Sequence, residues 1–380
     1  MIDPKALLAY CELELNAMMS CLRQAVEIES PSQNPEAIDR LAAFFAQEFR
    51  KQGADVELLH HQTAGSAVVA EFWAGVSSAK PILLLGHLDT VWEMGTLADM
   101  PFQIRDERAY GPGIYDMKSG IVCGIWALKA LAALGLSPSG PIRAFLNADE
   151  ELSSIAFREE LLAEARSARA VLVLEPAATH GALKTARKGV GEFQITVRGR
   201  SAHAGINPSA GVNAISELAR QILRIEKLAR PQRGLTLNVD VIRGGTRSNV
   251  IPEMAVARVD VRVATALDSK KIERKMRALS PIHPEAKLEI TGGINRPPLE
   301  RRMASALFHK AQALGRQMGL ELKEASTGGG SDGNFTAALG IPTLDGLGGT
   351  GDGAHARHEH VIVRELPQRA ALLAALLATL

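Results

Sequence analysis

Residues 81–90 read Pro81-Ile82-Leu83-Leu84-Leu85-Gly86-His87-Leu88-Asp89-Thr90. An apolar run of strand length ends on a histidine. An aspartate follows two positions later, on the same face of an extended chain. Working outward, Ser66 to Trp73 reads as another strand. Leu7 to Glu29 carries apolar residues at helical spacing and stops at Ser30-Pro31-Ser32. A second helix follows Pro35, with the apolar set Ile38, Leu41, Phe44, Phe45 and Phe49, and Gly53 ends it. Downstream, Ile121 to Leu134 reads as a buried helix, and Ile142 to Leu146 and Val171 to Leu174 as strands. This alternation predicts an α/β fold, a mixed, mainly parallel sheet flanked by helices. Such sheets bind ligands beyond the carboxyl ends of their strands.

From about Gly181 to Gly293 the rhythm changes. Strand-like runs at Glu192–Val197, Leu235–Val241, Ala255–Arg262 and Lys287–Ile290 surround two helices, Val212–Ile225 and Asp268–Leu279. After Pro297-Pro298 the first pattern resumes with a helix over Met303–Met318 and a final helix from Leu366. Residues 1–182 and 294–380 are therefore expected to form one domain, with 183–293 inserted as a small α/β sandwich.

Composition narrows the function. Lys plus Arg (43) nearly balances Asp plus Glu (42), so no basic surplus points to nucleic acid. The three cysteines, Cys11, Cys21 and Cys123, have no CxxC spacing and fit reduced thiols. No signal-peptide pattern opens the chain, and the apolar run Ala370–Leu380 is too short to span a bilayer. Cytoplasmic location is the expectation.

Possible metal ligands recur at strand ends. His87 and Asp89 form the first group, although a strand-end histidine in a polar turn is the commoner meaning of such a pair. Asp116, in Gly111-Pro112-Gly113-Ile114-Tyr115-Asp116, precedes a long apolar helix, where an aspartate is also a good cap. Asp149-Glu150-Glu151 follows the strand ending at Leu146; three adjacent acids repel one another unless a cation or a helix N-terminus receives them. Glu175 ends the strand Val171–Leu174. The turn Gly351-Asp352-Gly353-Ala354-His355-Ala356-Arg357-His358-Glu359-His360 offers three histidines. Each alone has an ordinary structural explanation. Together they form a mixed N/O set suited to zinc, cobalt or manganese. Two such ions sharing a carboxylate activate water and polarise an amide carbonyl, and an unbound carboxylate then takes the proton. The Glu150–Glu151 pair provides one ligand and one base.

In these residues the chain resembles the dinuclear zinc metallopeptidases that include glutamate carboxypeptidase, aminoacylase, acetylornithine deacetylase and succinyl-diaminopimelate desuccinylase. The resemblance runs from about Glu27 to Val363. It implies a zinc-peptidase-like catalytic domain with an inserted ferredoxin-like α+β dimerisation domain. It implies that His87, Asp116 and Glu175 hold one metal ion, and Asp116, Glu151 and His355 the other, with Asp116 bridging. Glu150 matches the general base and Asp89 the acid that orients His87. His203, in Gly199-Arg200-Ser201-Ala202-His203-Ala204-Gly205, matches a residue that stabilises the oxyanion in the partner subunit's site. Asn249 and Arg262 are similar to residues that hold the substrate carboxylate. Gly330 and Ser331 lie in Thr327-Gly328-Gly329-Gly330-Ser331-Asp332, which matches a loop at the active-site rim. His355 is chosen because Glu359 follows it at the family's spacing; His358 and His360 remain open. His180 reads as a bystander.

The expected function is hydrolysis of an amide beside a free carboxylate, of the glutamate-carboxypeptidase type. A deacetylase or desuccinylase is the alternative, and a catalytically silent ligand-binding relative a further one. The expected partners are a peptide or N-acyl amino acid substrate and a second copy of the chain, with no nucleic acid and no membrane.

Overall fold

The computed structural model describes residues 2–380. Its contacts divide the chain into two compact units. The larger runs to Ala186 and takes in Arg301–Thr327 and Ser331–Leu380; the smaller is Arg187–Glu300 with Gly328–Gly330.

The larger unit opens with α1 (Pro4–Leu13) and α2 (Leu15–Glu27). Buried Leu7, Cys11, Met18, Leu22 and Ala25 keep helical spacing straight across Glu14. Periodicity therefore does not register the break there, and two helices stand where one was expected. Helix α3 (Pro35–Arg50) starts at an Asn34 cap whose side chain accepts the Ala37 N–H, and Pro35 takes the first helical position. It buries Ile38, Leu41, Phe45 and Phe49.

Strands β1 (Asp55–His61), β2 (Gly65–Phe72) and β3 (Ile82–His87) come next. All six residues of β3 are buried, as a strand covered on both faces requires. Helix α4 (Ser119–Ala133) is buried along nearly its whole length. Its Gly120 and Gly124 face Leu174, and a side chain at Gly120 would strike the Leu174 carbonyl. This close approach seats the helix against the chain just before Glu175. Strands β4 (Ile142–Asn147) and β5 (Ala170–Val173) follow.

The smaller unit contains β6 (Gly189–Arg198), α5 (Ala214–Glu226), β7 (Thr236–Gly244), β8 (Met254–Val263), α6 (Ala266–Arg277) and β9 (Lys287–Arg296). The four strands form an antiparallel sheet in the order β7-β8-β6-β9. This βαββαβ arrangement is ferredoxin-like. Phe193, Ile195, Val197, Val259 and Val261 of the sheet pack with Leu218 and Ile225 of α5 and Ile272 and Met276 of α6. Asn213 and Thr265 cap the two helices through their side chains. Where the unit begins and ends, Arg187 and Leu299 exchange both backbone hydrogen bonds, at 3.0 and 3.1 Å.

The larger unit resumes with α7 (Arg301–Gln317), β10 (Thr343–Leu344) and α8 (Leu366–Thr379). Its sheet has the order β1-β2-β4-β3-β5-β10. The β4-β3-β5-β10 portion is parallel, and β1 and β2 are antiparallel. The carboxyl ends of adjacent β4, β3 and β5 thus lie on one edge, and His87, Glu150, Glu151 and Glu175 fall at or just beyond them. Among the described residues no helix is long and apolar enough to cross a membrane.

Candidate metal centre

Asp116 stands between two histidines. Its Oδ1 lies 3.2 Å from His87 Nε2, and its Oδ2 lies 3.6 Å from His355 Nε2. Glu175 Oε1 is 3.6 Å from the same His87 nitrogen, and Glu151 Oε1 is 3.0 Å from the His355 nitrogen. Two trios result, His87–Asp116–Glu175 and Asp116–Glu151–His355, with the ligand atoms of each trio within 4.8 Å of one another. Glu150 lies beside them, in a third grouping with His87 and Glu151.

These residues fit divalent ions on their chemistry. Each trio offers one imidazole nitrogen and two carboxylate oxygens, a donor set that zinc, cobalt and manganese accept. His87 and Glu175 are buried, where converging carboxylates repel one another unless a cation lies among them. Burial pulls the His87 imidazole down, but Asp116, Asp89 and Glu175 outweigh it and hold it well above the usual value. Glu151 raises His355 to about 9. Burial in turn pushes the Glu151 carboxyl up.

The surrounding bonds explain the geometry. His87 Nδ1 lies 2.9 Å from the backbone carbonyl of Asp89, which leaves Nε2 directed at Asp116. The Asp89 carboxylate is 3.4 Å from Nδ1 and does something else as well. It accepts the backbone N–H of Glu150 and that of Glu151, each at 3.0 Å, and the Ser32 hydroxyl at 2.8 Å. Sequence reasoning assigned Asp89 to His87 and missed this hold on the glutamate pair.

Other participants were also invisible in the sequence. Glu359, noted only for its spacing from His355, is fully buried against the Asp116 turn. Asn147 and Ser154, on either side of the turn that carries Glu150, form a buried polar cluster with Asp332. Lys118 is buried and donates to the Ile28 carbonyl at 2.8 Å; burial pushes its ammonium down to about 7. Nothing in local sequence marks a charge as buried, because its partners lie far along the chain.

Of the three histidines in the 351–360 turn, only His355 meets the carboxylates. His360 Nδ1 lies 2.9 Å from the His358 carbonyl, and its ring packs on Tyr110 at 5.2 Å. Ser331, expected at the rim, is wholly buried, donates to Asp345 Oδ2 at 2.6 Å and accepts the Gly333 N–H. Gly330 is half-buried; its carbonyl accepts from Arg187 at 3.1 Å, and Arg296 and Val190 leave little room for a side chain there.

In the smaller unit, His203 lies in a two-residue ladder, paired with Val250, and Asn249 directly precedes Val250. The Asn249 backbone carbonyl accepts the Ala204 N–H at 2.9 Å. His203 Nδ1 accepts the N–H groups of Gly205 and Ile206, at 3.1 and 3.2 Å. The neutral ring therefore carries its proton on Nε2. Arg262, on β8, grips Asp260 with Nε and Nη2, the latter at 2.8 Å.

Residues 83–379 match the sequence profile of Peptidase family M20/M25/M40. The chain belongs to this family. Among its relatives is carboxypeptidase G2 of Pseudomonas sp. strain RS-16, 32% identical over 97% of this chain and 90% of the relative. A succinyl-diaminopimelate desuccinylase of Dechloromonas aromatica is 26% identical over 80% of this chain and 85% of its own length. The crystal structure of the aminopeptidase PepT of Bacillus cereus shares the fold, with a TM-score of 0.77 at 20% identity over 96% of this chain and 98% of that one. As a member of family M20/M25/M40 the chain is a hydrolase of the metal-dependent peptidase and amidohydrolase kind.

Proposed function

We propose that the protein hydrolyses an amide bond adjacent to a free carboxylate, in the manner of a glutamate carboxypeptidase. The observation that carries this reading is Asp116, which presents one carboxylate oxygen to each of two ligand trios. His87, Asp116 and Glu175 would hold one divalent ion, and Asp116, Glu151 and His355 the other, with zinc the first candidate and cobalt or manganese the alternatives. When bound, such ions polarise the scissile carbonyl and make water a stronger acid. Glu150 takes the proton from the attacking water and returns it to the leaving amine. Asp89 holds Glu150 in place through its backbone N–H.

His203 is the proposed oxyanion donor, through the Nε2–H that its Nδ1 acceptor bonds leave exposed. Asn249 and Arg262 would receive the substrate carboxylate, Arg262 through the Nη1 that stands outside its pair with Asp260. Gly330 would line the rim of the site. The name of the relative at 32% identity favours a carboxypeptidase; the desuccinylase relative keeps deacylation of an N-acyl amino acid as the second reading.

A homodimer through the smaller unit is part of the proposal. Strand β7 is a sheet edge with Val241 and Ile242 exposed, and α5 exposes Ile215 and Leu223. An edge strand with apolar side chains calls for a partner, and a second copy would extend the sheet. Three free, buried cysteines support a reducing compartment, the cytoplasm.

The test is metal content per chain, paired with amino acid release from N-acyl-glutamate, N-acyl-aspartate and N-acyl-ornithine. Two ions with glutamate or aspartate released is the expected result. Preference for the ornithine substrate would favour the deacylase. No bound metal and no turnover after adding zinc, cobalt or manganese would overturn both readings.

A further inference from the structure

The Glu359 side chain is 0% exposed, and its carboxylate meets four N–H donors. Oε1 accepts from the backbone of Tyr115 at 2.9 Å and of Asp116 at 3.0 Å. Oε2 accepts from the backbone of Gly113 at 2.9 Å and from the Trp92 indole at 2.8 Å. A carboxylate removed from water is unfavourable unless such donors replace its hydration. The bonds also answer a need of the turn. The turn departs from the helical conformation at Gly113, with φ 69, and again at Asp116, with φ −114 and ψ 92, and at Met117. Ile114 finds a partner in the Gly111 carbonyl. The N–H groups of Gly113, Tyr115 and Asp116 would otherwise lie buried without one, and Glu359 satisfies all three.

The other end of the tie is equally fixed. Gly353 packs so closely that a side chain there would come within 2.9 Å of the Glu359 Cα and backbone nitrogen. Glu359 and His355 share the 351–360 turn, so one carboxylate joins the turn that bears His355 to the turn that bears Asp116. We infer that Glu359 is a positioning residue for Asp116: it sets the backbone so that Oδ1 faces His87 while Oδ2 faces His355, and Trp92 completes its hold. This inference rests on the two-ion reading above. Because Asp116 is common to both trios, displacing its turn weakens both ion sites together. Removing His355 weakens only one.

The experiment is zinc titration of the metal-stripped full chain against a competing chromophoric chelator, with thermal melts of the stripped proteins as the control for folding. Wild type is expected to bind two ions. E359Q sets an NH2 group against two of the four donors, and both dissociation constants should rise about 10–100-fold. H355A should lose one ion and keep the other. W92F, which removes a single donor, should shift both constants in the same direction as E359Q by less. A folded E359Q that binds two ions with wild-type constants, or loses affinity at one site alone, would overturn the inference. Should E359Q fail to fold, W92F decides, and unchanged constants in W92F would overturn it. Failure of wild type to bind any ion would remove the ligand assignment itself, which separates that failure from this one.

Discussion

The side-chain amide of Asn147 donates to Asp332 Oδ2 at 2.6 Å, across 185 positions of sequence. The Ser154 hydroxyl donates to the other oxygen, Oδ1. Asn147 and Ser154 flank the turn that carries Glu150 and Glu151, and Ser154 holds a left-handed φ of 52. Asp332→Ala leaves two buried donors short, each costing about 1–3 kcal/mol. We expect D332A to lower the melting temperature and to reduce kcat at least about tenfold, as small displacements of catalytic groups do, with KM nearly unchanged. D332N should recover most of both, because its oxygen still accepts from Asn147 and the Ser154 hydroxyl can turn. Steady-state kinetics with thermal melts check this; a folded D332A with wild-type kcat would show the tie to be dispensable.

Glu150 is the proposed base, and its removal should separate chemistry from metal binding. E150Q is expected to lose about 10²–10⁴-fold in kcat, the usual worth of a general base, while metal content stays at the wild-type level. Turnover near wild type would assign the proton to another group.

His203 offers a spectroscopic prediction as well as a kinetic one. Nitrogen NMR of the neutral ring should find the proton on Nε2, because Nδ1 accepts two backbone bonds. H203A should reduce kcat by about 10²–10³ with a smaller effect on KM, the loss typical of one oxyanion donor. Equal kcat in the variant would retire the role.

Glu217 ties helix α5 to the loop before β9. Its carboxylate accepts from Ile282 and His283 backbone N–H groups at 2.8 and 3.0 Å, and from Gln221 at 2.8 Å. Burial pushes this carboxyl up, the three donors pull it down, and the donors prevail. A depressed carboxyl stabilises the fold above its unfolded value of about 4.3, and that stabilisation is lost as pH falls through the folded value. E217Q should therefore destabilise the smaller unit by about 1–3 kcal/mol at pH 7. The gap to wild type should narrow toward pH 3. Denaturant melts at the two pH values test it, and an equal gap at both would mean that ionisation is not what counts.

Burial pushes the thiols of Cys11, Cys21 and Cys123 up to about 12. The thiolate is the reactive form, so none of the three should react with a disulfide reagent at pH 8 in the native state. All three should react after denaturation. Rapid native labelling would contradict the buried placement.

What the sequence disclosed and what it hid divide along a physical line. His87, Glu150, Glu151 and Glu175 sit at or just past the ends of strands that periodicity finds, and parallel pairing then brings those ends together. Asp116 and His355 depend on turns; glycines mark both turns, but only the resemblance to the family singled out Asp116 from a helix cap and His355 from His358 and His360. Glu359, Asp332 and Lys118 were not legible, because a buried charge is recognised by partners that only the folded chain supplies. The same limit holds at Ser331, where nothing in the glycine-rich loop discloses the Asp345 carboxylate that its hydroxyl meets. The break at Glu14 escaped because the apolar spacing on either side stays in phase.

The paired backbone bonds of Arg187 and Leu299 place the entry and exit of the smaller unit side by side. The larger unit is therefore split in sequence by a segment that builds its own core. During synthesis the continuous segment Arg187–Glu300 of the smaller unit leaves the ribosome while its host still lacks α7, β10 and α8. Domains fold as units as they emerge, so the guest matures first and the host closes around strands that have waited. The candidate ligand set is complete only late in synthesis, since His355 and Glu359 are made more than 200 residues after the Asp116 turn they meet.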